Sequence, residues 1–238
     1  MPSSAVPQIK PLPETPSVLR QVVDAVRWEI LLGNFPPGMR LKEIELCEQL
    51  GVSRPLLREA FQRLRFAGLV EIRDRAGARV VDLSPSELAD VLDFQTTMFA
   101  FISRLAALNG DAQQKETLVR EARAFEENTR RGVYETVRDF TLARYKVQHQ
   151  LHVCTGSYYR VNKRRGFVSE IMHPHLLVPY RTEELRLASA QRWLRLALLV
   201  AQGDPDETER YAIEVNNEIK AAVFEGLGIP IPQTWART

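Results

Sequence analysis

Arg54, Arg58 and Gln62 stand at four-residue intervals, and on a helix such positions share one face. The opposite face carries Leu57, Ala60, Phe61 and Leu64. An amphipathic helix with arginines outward fits a DNA major groove, where arginine pairs bidentately with guanine. Further along, Arg73, Arg75 and Arg79 lie on or beside the turn Asp74-Arg75-Ala76-Gly77, placed to touch phosphates or the minor groove. Seven arginines (54, 58, 63, 65, 73, 75 and 79) face Glu59, Glu71 and Asp74 in this stretch, an excess above the +2 of the whole chain. The basic charge is therefore local, as a nucleic-acid footprint requires. A merely solvated helix face would carry the same charges, so charge alone does not separate the two readings.

The elements that must position these residues follow from pattern. Ser17 caps a helix whose apolar positions are Leu19, Val22, Val23, Val26 and Ile30. Gly33-Asn34 and Phe35-Pro36-Pro37-Gly38 end it in a turn. A second helix is predicted over about Glu43–Leu50, then the turn Gly51-Val52-Ser53 and a third helix from Arg54 to Ala67-Gly68. Two β-runs, Leu69–Arg73 and Ala78–Val81, form a hairpin. This order is that of a winged helix-turn-helix. After Leu83 the pattern becomes all-helical. Ser84-Pro85-Ser86-Glu87 reads as a capping box, and Val91, Phe94, Met98, Ile102 and Leu105 form one helical stripe. Further helices are predicted near 112–130, 133–154, 158–172, 182–202 and 205–226, with Trp193–Val200 apolar on nearly all sides and so fully buried. The expected organisation is a flexible tail 1–16, a DNA-binding domain 17–83, a helical-bundle domain 84–228 and a tail 229–238. With 238 residues, 45% hydrophobic and 26% charged, two globular domains fit. Cys47 and Cys154 read as free thiols in a reducing compartment. Met1–Pro16 has no apolar signal core, and no uninterrupted apolar run is long enough to span a bilayer. The cytoplasm is the expected location.

The stretch Gly33-x-Phe35-x-Pro37-Gly38-x-Arg40-Leu41-x-Glu43, then Leu50-Gly51-Val52-Ser53-Arg54, Arg58-Glu59-Ala60-x-x-x-Leu64 and Gly68-Leu69-Val70, resembles the DNA-binding domain of the GntR superfamily of bacterial regulators. Pro55 departs from it by one position, which the first turn of a helix tolerates. Residue face and resemblance together place DNA contacts at Arg40, Ser53, Arg54, Arg58, Gln62, Arg73, Arg75 and Gly77. The remainder resembles the FCD-type helical effector domain of the FadR-like branch, through Leu151-x-x-x-Thr155-Gly156 and through Ser189 with Gly203-Asp204. That branch commonly holds a divalent metal with one aspartate and three histidines. By these landmarks the four positions fall here on Arg144, Gln148, Trp193 and either Val215 or Asn216. Arginine repels a cation, so the resemblance implies a lost metal site and no cofactor. Two further slots of the branch, an arginine and a glutamate, fall on Gln95 and Phe99.

The expected effector-binding residues are Arg144, Gln148, His152, Trp193 and Asn216. His152 is included because it continues the Arg144/Gln148 stripe. Arg144 is expected either to bind an anionic effector, a carboxylate or phosphate, or to pair with an internal carboxylate. A displaced metal site using His149, His152, His173 or His175 is the alternative for the histidines. P-loop, dinucleotide-glycine, Gly-x-Ser-x-Gly and Cys-x-x-Cys motifs are lacking, which weighs against an enzyme. The expected function is that of a homodimeric repressor on an inverted-repeat DNA operator, controlled by a small molecule. The competing reading is a ligand-independent DNA-binding dimer whose helical half only dimerises.

Overall fold

The computed structural model describes residues 17–73, 77–156 and 174–230. The predicted helix at 158–172, together with Arg75 and His173, lies outside them. The chain begins with α1 (Val18–Leu31), whose amino end is closed by the Ser17 hydroxyl accepting from the Arg20 amide at 3.3 Å. Strand β1 (Arg40–Leu41), α2 (Glu43–Leu50) and α3 (Arg54–Phe66) follow, then β2 (Val70–Arg73) and β3 (Gly77–Val80). The three strands form an antiparallel sheet in the order β1-β3-β2. The hairpin was expected; the third strand, two residues long, was not. Gly38 makes it possible. Its φ is +76°, its amide donates to the Val80 carbonyl at 3.1 Å, and a Cβ there would meet Asp82 at 3.3 Å. Between α2 and α3 the turn rests on Gly51 at φ +64°.

The helical region comprises α4 (Pro85–Asn109), α5 (Ala112–Arg130), α6 (Val137–Val153), a short 3-10 helix (Pro174–Tyr180), α7 (Glu183–Gln202) and α8 (Pro205–Leu227). Helix α4 starts with the expected capping box between Ser84 and Glu87. It packs antiparallel to α8: Lys220 pairs with Asp93 near one end, and Arg104 with Asp206 and Glu209 near the other.

Burial on α4 follows the sequence stripe only in part, and one expectation, for Trp193–Val200, is corrected. On α4 the buried residues are Leu88, Ala89, Leu92, Thr96, Ala100, Ile102, Ser103, Ala106 and Ala107; of the stripe read from the sequence, Ile102 is buried, Val91, Met98 and Leu105 are half-buried and Phe94 is exposed. Phe94 is 42% exposed, while the small residues Ala100, Ser103, Ala106 and Ala107 are buried with Leu88, Leu92 and Ile102. On α7, Trp193, Leu196, Ala197 and Val200 are buried, whereas Arg195 is exposed and Leu194, Leu198 and Leu199 are half-buried. This helix is therefore amphipathic, not enclosed on all sides. Among the described residues α4 is long and apolar enough to cross a bilayer by length and composition alone, at a mean hydropathy of 1.2 over its best window. Its buried face and charged contacts to α8 mark it as a core helix.

The two parts of the chain touch along α1. The ring of buried Trp28 lies under the Arg138 guanidinium of α6 at 5.2 Å, and α1 also contacts the 3-10 helix.

Candidate functional site

Helix α3 separates its two faces as its pattern requires. Leu57, Ala60, Phe61 and Leu64 are at most 1% exposed, while Arg54, Arg58 and Gln62 are exposed on the other side. The Ser53 side chain makes no capping bond to the first turn, so its hydroxyl remains available beside the helix amino terminus. Several arginines of this surface are already paired. Arg58 Nε lies 3.0 Å from both carboxylate oxygens of Glu43, and its terminal nitrogen is 3.0 Å from the same group. The hydrogen bond and charge of Glu43 raise the Arg58 pKa above its ordinary value. Arg63 pairs with Glu59 at 3.3 Å and Arg73 with Glu71 at 2.9 Å. Arg40, Arg54 and Arg79 have no described carboxylate partner.

Arg40 and Arg79 face each other across β1 and β3, and both are exposed. Like charges directly opposite on a sheet destabilise it slightly, and an anion between them removes the penalty. This pair is well suited to clamp a phosphate at the base of the wing. Replacing Arg79 by alanine is expected to weaken binding to every DNA sequence alike and to lower the salt dependence of log K by about 0.9, one phosphate contact. Titrations at several salt concentrations check this. A loss confined to one sequence would instead make Arg79 a base reader.

A second site lies in the helical region. A cavity of about 130 Å³ opens between α4, α6, α7, α8 and the 3-10 helix. Four of the five expected effector residues line it: Arg144 and Gln148 from α6, Trp193 from α7 and Asn216 from α8. His152 does not. Gln95 and Phe99 of α4 line it too, as does Val215. Trp193 meets Phe99 edge to face, with ring centres 5.5 Å apart. Lys220, Arg192, Tyr145 and Tyr180 also line the cavity and were not anticipated. Lys220 stands four residues beyond Asn216, so helical periodicity could have found it. Tyr180 could not be found in this way, because the 3-10 helix that carries it has no recognisable pattern.

The cavity is electropositive, with Arg144, Arg192 and Lys220 in its wall and no Asp or Glu among the described lining residues. Lys220 is neutralised by Asp93 at 2.7 Å and Arg192 by Glu218 at 2.8 Å. Arg144 has no described carboxylate partner. It donates to the Gln148 side-chain oxygen at 3.3 Å, and its guanidinium lies 4.9 Å from the Tyr145 ring centre and 5.5 Å from that of Tyr180. Its Nε is buried without a hydrogen-bond partner. Burial pushes the Tyr145 hydroxyl pKa up, with Arg144 opposing the shift. The four positions where the resemblance would put metal ligands thus converge on one cavity, but they offer a guanidinium, amides and apolar groups. That donor set does not fit a divalent cation. Among the described residues there is no cluster of three or more His, Cys, Asp or Glu side chains able to hold one. His149 and His152 lie on α6 away from the cavity lining, and His175 lies half-buried in the 3-10 helix.

Residues 19–80 match the sequence family described as bacterial regulatory proteins, gntR family. Over 93 residues, the chain is 37% identical to the "Probable D-xylose utilization operon transcriptional repressor" of Paenarthrobacter nicotinovorans, covering 39% of this chain and 41% of that one. It is 32% identical over 102 residues to the HTH-type transcriptional repressor GlaR of Escherichia coli, covering 41% and 46%. The chain thus spans about half or less of the length of these curated relatives. Its fold is similar to that of E. coli McbR/YncC, with a TM-score of 0.70 at 16% identity over 88% of this chain and 98% of that one.

Proposed function

We propose that this chain, whose residues 19–80 form a winged helix-turn-helix domain of the GntR family of bacterial regulatory proteins, is a non-enzymatic transcriptional repressor acting in the cytoplasm. The observation that carries this reading is α3. Its buried stripe fixes it to the domain, and its outer face presents Arg54, Arg58 and Gln62 beside a basic wing. Repression is supported by the repressor names of two relatives. One recognition helix contacts too few base pairs for gene-level specificity, so the operator-binding form is a homodimer and the operator a short inverted repeat. The helical region, which resembles FCD-type effector domains, holds a small anionic effector in its cavity without a metal. The Arg144 guanidinium, which has no carboxylate partner among the described residues, supports that assignment, since a charge inside a bundle needs a counter-charge.

In vitro selection from random duplexes, combined with sedimentation of the protein alone and with the selected DNA, tests the reading. The expected result is enrichment of an inverted repeat bound by two chains. A monomer on a single site, or no enrichment, overturns it. If the operator is bound but no small molecule alters its affinity, the helical region serves dimerisation only.

A further inference from the structure

We infer that the ligand of the helical cavity is an amphipathic monoanion: one carboxylate on a compact apolar body, and not a polyanionic or hydroxyl-rich metabolite. This deepens the proposed sensor reading and rests on it.

Charge is the first constraint. Of the three cations in the wall, Lys220 and Arg192 are held by Asp93 and Glu218, which leaves Arg144 as the uncompensated one among the described residues. One guanidinium with no carboxylate partner among the described residues asks for one negative charge. A second anionic group would have to displace a protein carboxylate at 2.7 or 2.8 Å from its partner. The guanidinium fork is the shape that takes a carboxylate bidentately, and its buried Nε is a donor still waiting for an acceptor. Gln148, at 3.3 Å from Arg144, is placed to share the same anion through its amide.

Surface chemistry is the second constraint. Beyond Arg144 the wall places polar groups at Gln95, Gln148, Ser189 and Asn216 and carries the paired Arg192 and Lys220, but most of its surface is apolar, with Phe99, Trp193, Leu196, Val215 and Ile219 among the contributors. A ligand body rich in hydroxyls would leave its polar groups unpaired against these side chains, at a cost an apolar body avoids. Size is the third. At about 130 Å³ the cavity is close to the roughly 150 Å³ that admits one benzene, which is room for a compact apolar body of about six carbons beside the carboxylate.

Calorimetric titration of the full chain, without DNA, tests this with octanoate and phenylacetate, their primary amides, citrate and inorganic phosphate. At least one monocarboxylate is expected to bind. Its amide should bind on the order of tenfold to a hundredfold more weakly, as expected for loss of a charge-assisted pair. Arg144→Gln should lose affinity to a similar extent, and Arg144→Lys should recover only part of it because the fork is gone. The preferred body, aliphatic or aromatic, is read from which acid binds more tightly. Absence of binding by both acids, equal binding by acid and amide, or tighter binding of citrate or phosphate each overturns the inference. The amide comparison uses unaltered protein, so it stands even if an Arg144 variant fails to fold. Because the titration contains no DNA, its failure is distinct from a failure to bind an operator.

Discussion

Phe140→Ala is expected to destabilise the helical region by about 3–5 kcal/mol, the range for deleting a fully buried aromatic side chain. Phe140 is 0% exposed. Its ring centre lies 5.1 Å from Phe125, 5.3 Å from Tyr180 and 6.3 Å from Tyr134, so the ring joins α5, α6 and the 3-10 helix in one cluster. Truncation removes its apolar burial and also its tilted ring contacts, and the surrounding helices can collapse only partly into the space. The consequence reaches the cavity. Tyr180 packs against Phe140 and also lies against the Arg144 guanidinium. Loss of that backing loosens the surface that orients Arg144, so ligand affinity falls along with stability. Thermal and urea unfolding measure the first effect and calorimetry the second. Phe101→Ala, at a position 47% exposed, is the control and should stay within about 0.5 kcal/mol of the parent. A cost under about 1 kcal/mol for Phe140→Ala would mean that the cluster is not the support of this wall.

What could be read from sequence followed the range of the interactions. The winged helix was legible because its signals are local. A serine before α1, glycines at forced turns, and an i, i+4 stripe on α3 each act over a few residues. Strand β1 was not legible, since two residues show no alternation and its existence depends on pairing with β3, far along the chain. The apolar stripe of α4 coincides with its buried face only in part, for a related reason. Hydrophobicity favours Phe94 and Met98, whereas close approach of neighbouring helices favours Ala100, Ser103 and Ala106, and packing prevails. In the cavity, Arg144, Gln148, Trp193 and Asn216 were placed by landmark residues, and all four line it. His152 was reached by extrapolation along α6. Each four-residue step overshoots a helical turn by about 40°, so two steps carry the side chain roughly 80° around the helix from Arg144. The ion pairs that decide which cations are free, Lys220 with Asp93 and Arg192 with Glu218, join residues on different helices and leave no local trace.

Arg54→Ala and Arg58→Ala are expected to differ, although the sequence presents the two residues as equivalent. Arg54 opens α3, is exposed and has no described carboxylate partner, so its whole charge and all its donors are available to DNA. Its loss should cost roughly 1–3 kcal/mol of operator affinity and relax the preference at one base position. Arg58 lies one turn further on, with Glu43 of α2 occupying its Nε and one terminal nitrogen. In the free protein much of its charge is cancelled, and any contact with DNA must be made with the remaining donors or at the expense of that pair. Arg58→Ala should therefore weaken operator binding less than Arg54→Ala. Glu43→Gln gives the converse test. It keeps a hydrogen-bond acceptor beside Arg58 but removes a negative charge from the surface facing the DNA backbone. Affinity for operator and unrelated duplexes should rise together, and the salt dependence of log K should steepen by up to about 0.9. Binding titrations of the three variants on both duplexes, across a range of salt, decide between the two roles of the pair. If Glu43→Gln weakens operator binding and Arg58→Ala costs as much as Arg54→Ala, then Glu43 does not restrain Arg58. It would instead hold the guanidinium in the orientation that DNA recognition requires.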